Sequence, residues 1–193
     1  MNRASGILLP VFSLPSRHGI GSFGWAAYRF VDFLAAAGQS YWQILPIGPT
    51  SFGDSPYQSF STFAGNPYFI DLDLLCRDGL LLPEEADSVS FGKGPGIDYA
   101  RLFETRFPVL RKAFERGQER DAEAFTAFRE ETAAWIEDYA LYMALKAHFG
   151  FKAWKHWDED IRLRKPKALA RWRKELREET DFWAYLQYLF FSQ

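Results

Sequence analysis

Residues 5–49 read SGILLPVFSLPSRHGIGSFGWAAYRFVDFLAAAGQSYWQILPIGP. The apolar run 5–12, closed by Ser13, Pro15 and Ser16, reads as a buried strand. A glycine-rich loop, HGIGSFG, follows at 18–24. Residues 25–37 then carry Phe30, Phe33 and Leu34 at helical spacing, with Trp25, Ala26 and Ala37 extending the stripe and Gly38 as the C-terminal stop. The run 41–47 is a second strand, ended by Pro46, Gly48 and Pro49. Strand, helix, strand with a crossover of about a dozen residues is a βαβ unit, so the two strands are expected to be parallel neighbours.

The next stretch, 53–71, reads GDSPYQSFSTFAGNPYFID. Tyr57, Phe60, Phe63, Tyr68 and Phe69 are interleaved with Asp54, Ser55, Gln58, Ser59, Ser61, Thr62 and Asn66. A loop this aromatic is costly in water unless it packs or binds. Ring faces beside short hydrogen-bonding groups suit sugars, which have apolar faces and hydroxyl edges. The loop leaves the C-terminal end of the second strand, the side on which ligand sites gather in α/β barrels and open α/β sheets. Pro56 restrains Ser55 and holds Tyr57. Packing of the same rings onto the fold is the competing reading, toward which the phenylalanines lean. Asp54 is a turn former or a substrate contact.

Beyond residue 71 the pattern turns helical. Residues 70–75 read as a short extended piece, Pro83 opens a helix and 90–97 form a loop. Asp98 caps a helix to about Glu115, and a single long helix is expected over 122–149, closed by Gly150. Residues 154–160 are aromatic and acidic. Helices are expected over 165–179 and, capped by Asp181, from Phe182 onward. The dense apolar run 182–191, followed at once by Gln193, reads as the N-terminal part of a longer protein.

The chain has 193 residues, 48% hydrophobic and 18% aromatic, with a formal net charge of −2. That balance speaks against a nucleic-acid partner. One cysteine, Cys76, cannot form an internal disulfide and reads as a small buried hydrophobe. No secretory pattern and no membrane span stand out, which makes a soluble, cytoplasmic protein the expectation. Gly19, Gly21 and Gly24 match a dinucleotide fingerprint in spacing, but the second strand lacks the acidic residue that would hold the ribose, so a tight strand-to-helix turn is preferred. His18 reads as structural or exposed. His148 and His156 have no cysteine partners, so no metal site is expected. The charged run 162–174 reads as a solvated helix face.

SGILLPVFSLPS, HGIGSFG, QILPIGPT and GDSPYQSFSTFAGNPYFIDL, in this order and spacing, resemble the N-terminal third of 4-α-glucanotransferases (amylomaltases, glycoside hydrolase family 77). The similarity continues more weakly through IDYARLF to QYLFFSQ. The resemblance implies an α/β fold: the N-terminal part of a (β/α)8 barrel over 1–70, a largely helical subdomain inserted after the second strand over 71–180, and the start of a barrel helix over 181–193. It implies segment transfer between α-1,4-glucans with retention, using a nucleophilic aspartate, an acid/base glutamate and a supporting aspartate. All three lie on later barrel strands, so no catalytic residue is assigned within this chain. It also implies maltooligosaccharide substrates and no cofactor, and leaves the oligomeric state open. Tyr57 matches the aromatic platform at the cleavage site. Ser55 and Gln58 are its neighbours, and Asp54 and Asn66 of the same loop complete the candidate substrate set. Tyr99 matches one member of a second glucan site, where Phe52 stands in place of the partner tyrosine. A self-contained glucan-binding module, an α-amylase-like hydrolase and an interaction protein using its exposed aromatics are the alternatives.

Overall fold

A computed structural model describes residues 3–50, 53–88 and 96–193. Strands β1 (Gly6–Leu8) and β2 (Tyr41–Gln43) flank helix α1 (Trp25–Ala36). There follow α2 (Leu72–Arg77), α3 (Pro83–Asp87), α4 (Tyr99–Arg120), α5 (Ala122–Glu131), α6 (Ile136–His148), α7 (Glu159–Arg162), α8 (Pro166–Glu175) and α9 (Arg177–Ser192). Two compact units result: Met1–Arg120 with Leu189–Gln193, and Asp121–Tyr188.

In the first unit, β1 and β2 pair in parallel, with Gly6 opposite Tyr41 and Leu8 opposite Gln43. The βαβ reading holds, but both strands are shorter than expected. Leu9 N donates one further bond to Gln43 O at 3.0 Å. Pro10 then has no N–H to continue the ladder, and Val11–Ser13 turns into a 3-10 helix. The expected burial of the first strand is also corrected: Ile7 and Leu8 are exposed, because a two-stranded sheet offers few neighbours to cover them. Helix α1 packs on β2 through Phe30, whose ring meets Trp42 edge-on at 5.1 Å. The buried face is Ala27 and Leu34, whereas Phe33 is exposed. At 100° per residue Phe33 lies roughly 120° from Ala27, so it does not belong to that face.

The glycine-rich loop is a tight turn shaped by packing. A side chain on Gly21 would sit 2.1 Å from Val11 O, and one on Gly24 would sit 1.9 Å from the Asp71 carboxylate. His18 is buried, with Nε2 3.0 Å from Asp73 Oδ1. Residues 72–77 are helical, not extended, because the Asp71 side chain caps α2 by accepting from Leu74 N at 2.9 Å. Cys76 is only half-buried. Asp98 accepts from Arg101 N at 3.0 Å, as a cap should. Helix α4 runs on to Arg120, past the expected end, because its last turns are tied down: Arg116 and Arg120 donate to the backbone carbonyls of Leu80 and Asp78.

Glu85 in α3 accepts from Arg116 at 2.5 and 2.8 Å and from Leu82 N at 2.9 Å. These bonds, led by the Arg116 guanidinium, lower its pKa from 4.5 to about 2. A depressed carboxylate contributes stability that is present above pH 4.5 and is lost as pH falls through about 2. Glu85→Gln is therefore expected to cost about 1 kcal/mol at neutral pH, after allowance for solvent screening, a cost that fades as pH falls through about 2. Urea melts of both proteins across that range are the check; a cost that persists at the acid end contradicts the ion-pair origin.

In the second unit, the expected single helix over 122–149 is two. The Thr132 hydroxyl bonds back to Phe128 O at 2.6 Å, and Trp135 adopts φ −142°, which breaks the ladder before α6 restarts. Helix α8 ends at Glu175, so the helix expected over 165–179 is also divided. Asp181 lies inside α9 and does not cap it; its carboxylate instead accepts from Arg129 at 2.6 Å. The first turn of α9 already carries Glu178 and Glu179, which suit a helix N-terminus. The core of this unit joins Leu141 and Leu145 of α6 to Trp157, Ile161, Ala168 and Trp172. Among the described residues, no helix is long and apolar enough to cross a membrane.

Candidate substrate-binding groove

The loop after β2 is held at several points. Asn66 N donates to Ile47 O at 2.8 Å, and the Asn66 side chain accepts from Tyr68 N at 3.0 Å, which starts the 3-10 turn Pro67–Phe69. Phe23 N donates to Phe69 O at 3.0 Å. Ser22 Oγ donates to the Asp71 carboxylate at 2.6 Å. Gln193 brackets the Asp71 backbone, accepting from its N–H at 2.6 Å and donating to its carbonyl at 3.1 Å.

Arg106 of α4 completes the clamp. It is 1% exposed, donates to Ile70 O, and reaches His18 O at 3.4 Å. Burial draws its pKa down to about 10, with the Asp71 charge acting in the opposite direction. One side chain thus fastens the end of the aromatic loop to the glycine-rich turn.

On this base lies a groove of about 570 Å³, well inside the range of ligand pockets. Tyr57, Phe63 and Phe191, 72%, 63% and 53% exposed, stand around it. Ser59, Ser61 and Thr62 supply hydroxyls, and Pro46 and Gly48 form part of the wall. Phe190 lines the groove from below, its ring so close to Gly65 that an added side chain there would lie 2.1 Å away. The Ser59 hydroxyl donates to Ser61 O at 2.7 Å, and Ser61 Oγ accepts from Ala64 N at 3.1 Å, so both serine side chains are held in place. Among the described lining residues there is no carboxylate. No cluster of three metal-ligating side chains occurs among the described residues.

Of the sequence-derived candidates, Tyr57 lines the groove. Ser55 sits in the turn behind it: its carbonyl accepts from Gln58 N at 3.1 Å and its hydroxyl from Tyr57 N at 3.4 Å. Gln58 is exposed and Asp54 half-buried with φ 53°; burial pushes the Asp54 carboxyl up. Neither lines the groove. Asn66 is buried and committed to Tyr68 N. Tyr99 opens α4 with its ring 6.1 Å from that of Tyr68; Phe52, its expected companion, lies outside the described residues. Phe190 and Phe191 also line the groove, and the apolar density of 182–191 is the one trace of this in the sequence.

The profile of the 4-alpha-glucanotransferase family matches residues 9–193. The chain belongs to this family. A 4-alpha-glucanotransferase of Clostridium butyricum is 50% identical over 184 residues, covering 95% of this chain and 38% of that protein. One from Thermus thermophilus is 47% identical over 195 residues, covering 99% of this chain and 38% of the relative. Among solved structures, an amylomaltase from Streptococcus agalactiae in complex with acarbose superposes with a TM-score of 0.94 at 47% identity, over 99% of this chain and 39% of that one. The chain therefore spans less than half the length of the relatives it matches.

Proposed function

We propose that this chain is the sugar-holding, N-terminal portion of a cytoplasmic 4-α-glucanotransferase. In this reading the βαβ unit begins a (β/α)8 barrel, 71–180 is a helical subdomain inserted after the second strand, and 181–193 returns to the barrel. The observation that carries it is the groove itself: three exposed rings and the held side chains of Ser59 and Ser61 beside Thr62, on the C-terminal side of β2, with no carboxylate among its described lining residues. Such a surface suits the faces and hydroxyl edges of a glucan.

Tyr57 is the platform under the sugar at the cleavage point, with Ser55 fixing its backbone and Gln58, Asp54 and Asn66 shaping the loop around it. Tyr99, with Phe52, offers a second glucan contact. The catalytic carboxylates come from segments outside this chain. One aspartate attacks the anomeric carbon as the bond to the leaving O4 breaks, and a glutamic acid protonates that oxygen. The 4-hydroxyl of the acceptor then displaces the aspartate and returns its proton to the glutamate. Carboxylates about 5–5.5 Å apart fit such retention.

The test is product analysis of the longer protein with maltotriose. Glucose and a ladder of longer maltodextrins are expected; glucose and maltose alone indicate a hydrolase. In the same protein, Tyr57→Ala removes roughly 60 Å² of stacking area, about 1.5 kcal/mol, and is expected to lower kcat/KM about tenfold. An unchanged kcat/KM takes Tyr57 out of the platform role. The chain 1–193 alone is expected to bind maltohexaose without turning it over. The same rings and hydroxyls also suit a second reading, a glucan-binding module without catalysis, and this is the result to be seen if the longer protein also leaves maltotriose intact.

A further inference from the structure

The second unit carries a cavity of its own, of about 340 Å³. Its aromatic wall is rigid. Trp157 is buried, stacked against Phe149 at 5.4 Å and tilted against Tyr142 at 5.4 Å. Its indole N–H is already given to Lys152 O at 3.3 Å. Trp154, one turn earlier, lines the same cavity but is 54% exposed, so much of its ring area is open to a ligand.

The rim is charged. Arg164 donates to Asp138 at 2.8 Å, and Arg162 stands beside them in the lining. Arg164 also has φ 53°, just past the end of α7. That position usually falls to glycine, and a long side chain there is conformationally costly. An arginine in this geometry, paired with a carboxylate in the cavity lining, points to a ligand contact.

We propose that this cavity is a further carbohydrate site, distinct from the Tyr57 groove and from the Tyr99 contact, taking one or two glucosyl residues of an α-glucan. Trp154 stacks on the sugar face, and the Asp138–Arg164 pair presents an acceptor and donors side by side to neighbouring hydroxyls. A purely apolar ligand would use the wall but gain nothing from that rim. The choice of glucan as ligand rests on the function proposed above; the existence of the site rests on the cavity alone.

The experiment is a titration of fluorotryptophan-labelled chain 1–193 with maltohexaose, followed by fluorine NMR. The Trp154 resonance is expected to move saturably. Arg164→Gly removes the guanidinium and relieves the backbone, so the melting temperature should hold or rise while half-saturation at Trp154 shifts about tenfold upward. Trp154→Ala, at an exposed position, should keep the circular dichroism spectrum and remove this binding event from calorimetry. A Trp154 signal that stays still while Tyr57→Ala weakens maltohexaose binding overturns this inference alone. A moving Trp154 signal with binding indifferent to Tyr57→Ala supports it and overturns the loop reading. Silence at both places overturns both, and a Trp154 response to decanoate but not to maltohexaose makes the cavity an apolar-ligand site.

Discussion

Arg106→Ala is expected to destabilise the first unit by about 3 kcal/mol and to loosen the aromatic loop. The wild-type guanidinium is buried, donates to Ile70 O and His18 O, and leaves its Nε without a partner among the described residues. Removing it strands two carbonyls, at roughly 1–3 kcal/mol each, and opens a cavity. Relief from burying a cation offsets part of that loss. Arg106→Met tests the division, because it fills most of the volume while still stranding the carbonyls. It is expected to cost about half as much, with the loss set by unmet hydrogen bonds. Urea melts of the two variants give the stabilities, and amide exchange over 57–70 reports the loop. Equal melts for wild type and Arg106→Ala, or unchanged exchange at the loop, contradict the clamp.

Gly21→Ala is the second large effect, at about 2–3 kcal/mol. The added carbon would meet Val11 O at 2.1 Å, Leu14 N at 2.8 Å and Leu14 O at 2.9 Å, all of them backbone atoms that cannot rotate away. The turn would have to open, breaking the bond from Gly21 N to Phe12 O at 3.1 Å. Overpacking of this kind costs about 1–3 kcal/mol even where side chains can yield. Gly38→Ala is the control. Gly38 has φ 68° but nothing within 4 Å of an added side chain, so only the conformational cost of about 1 kcal/mol applies. Similar losses for the two variants would show that backbone conformation, not the close approach at Gly21, limits the turn.

Much of this was readable in the chain. The apolar runs around residues 25–37 determined the order strand, helix, strand, and their parallel pairing followed from the length of the crossover. The aromatic and hydroxyl residues of 53–71 marked the groove because composition and position agreed, and Tyr57 stood out through Pro56. Short-range geometry was legible in the same way at Asp98, whose cap lies three residues from its partner. Helix limits were less so. Thr132 and Trp135 ended one helix and began another through a hydroxyl bond and a dihedral angle, neither of which has a periodic signature.

The sequence by itself determined the βαβ order, the family and the loop that carries Tyr57, because periodicity, turn residues and motif spacing are local properties. Only the tertiary structure decided that Arg106 is buried, and that Phe190 and Phe191 complete a groove begun more than a hundred residues earlier. Arg106 looks in sequence like any polar residue of an amphipathic helix, and it becomes a clamp because Ile70 O and His18 O meet at its tip. Burial and convergence depend on distances between segments far apart in the chain, and those distances exist only once the fold has formed.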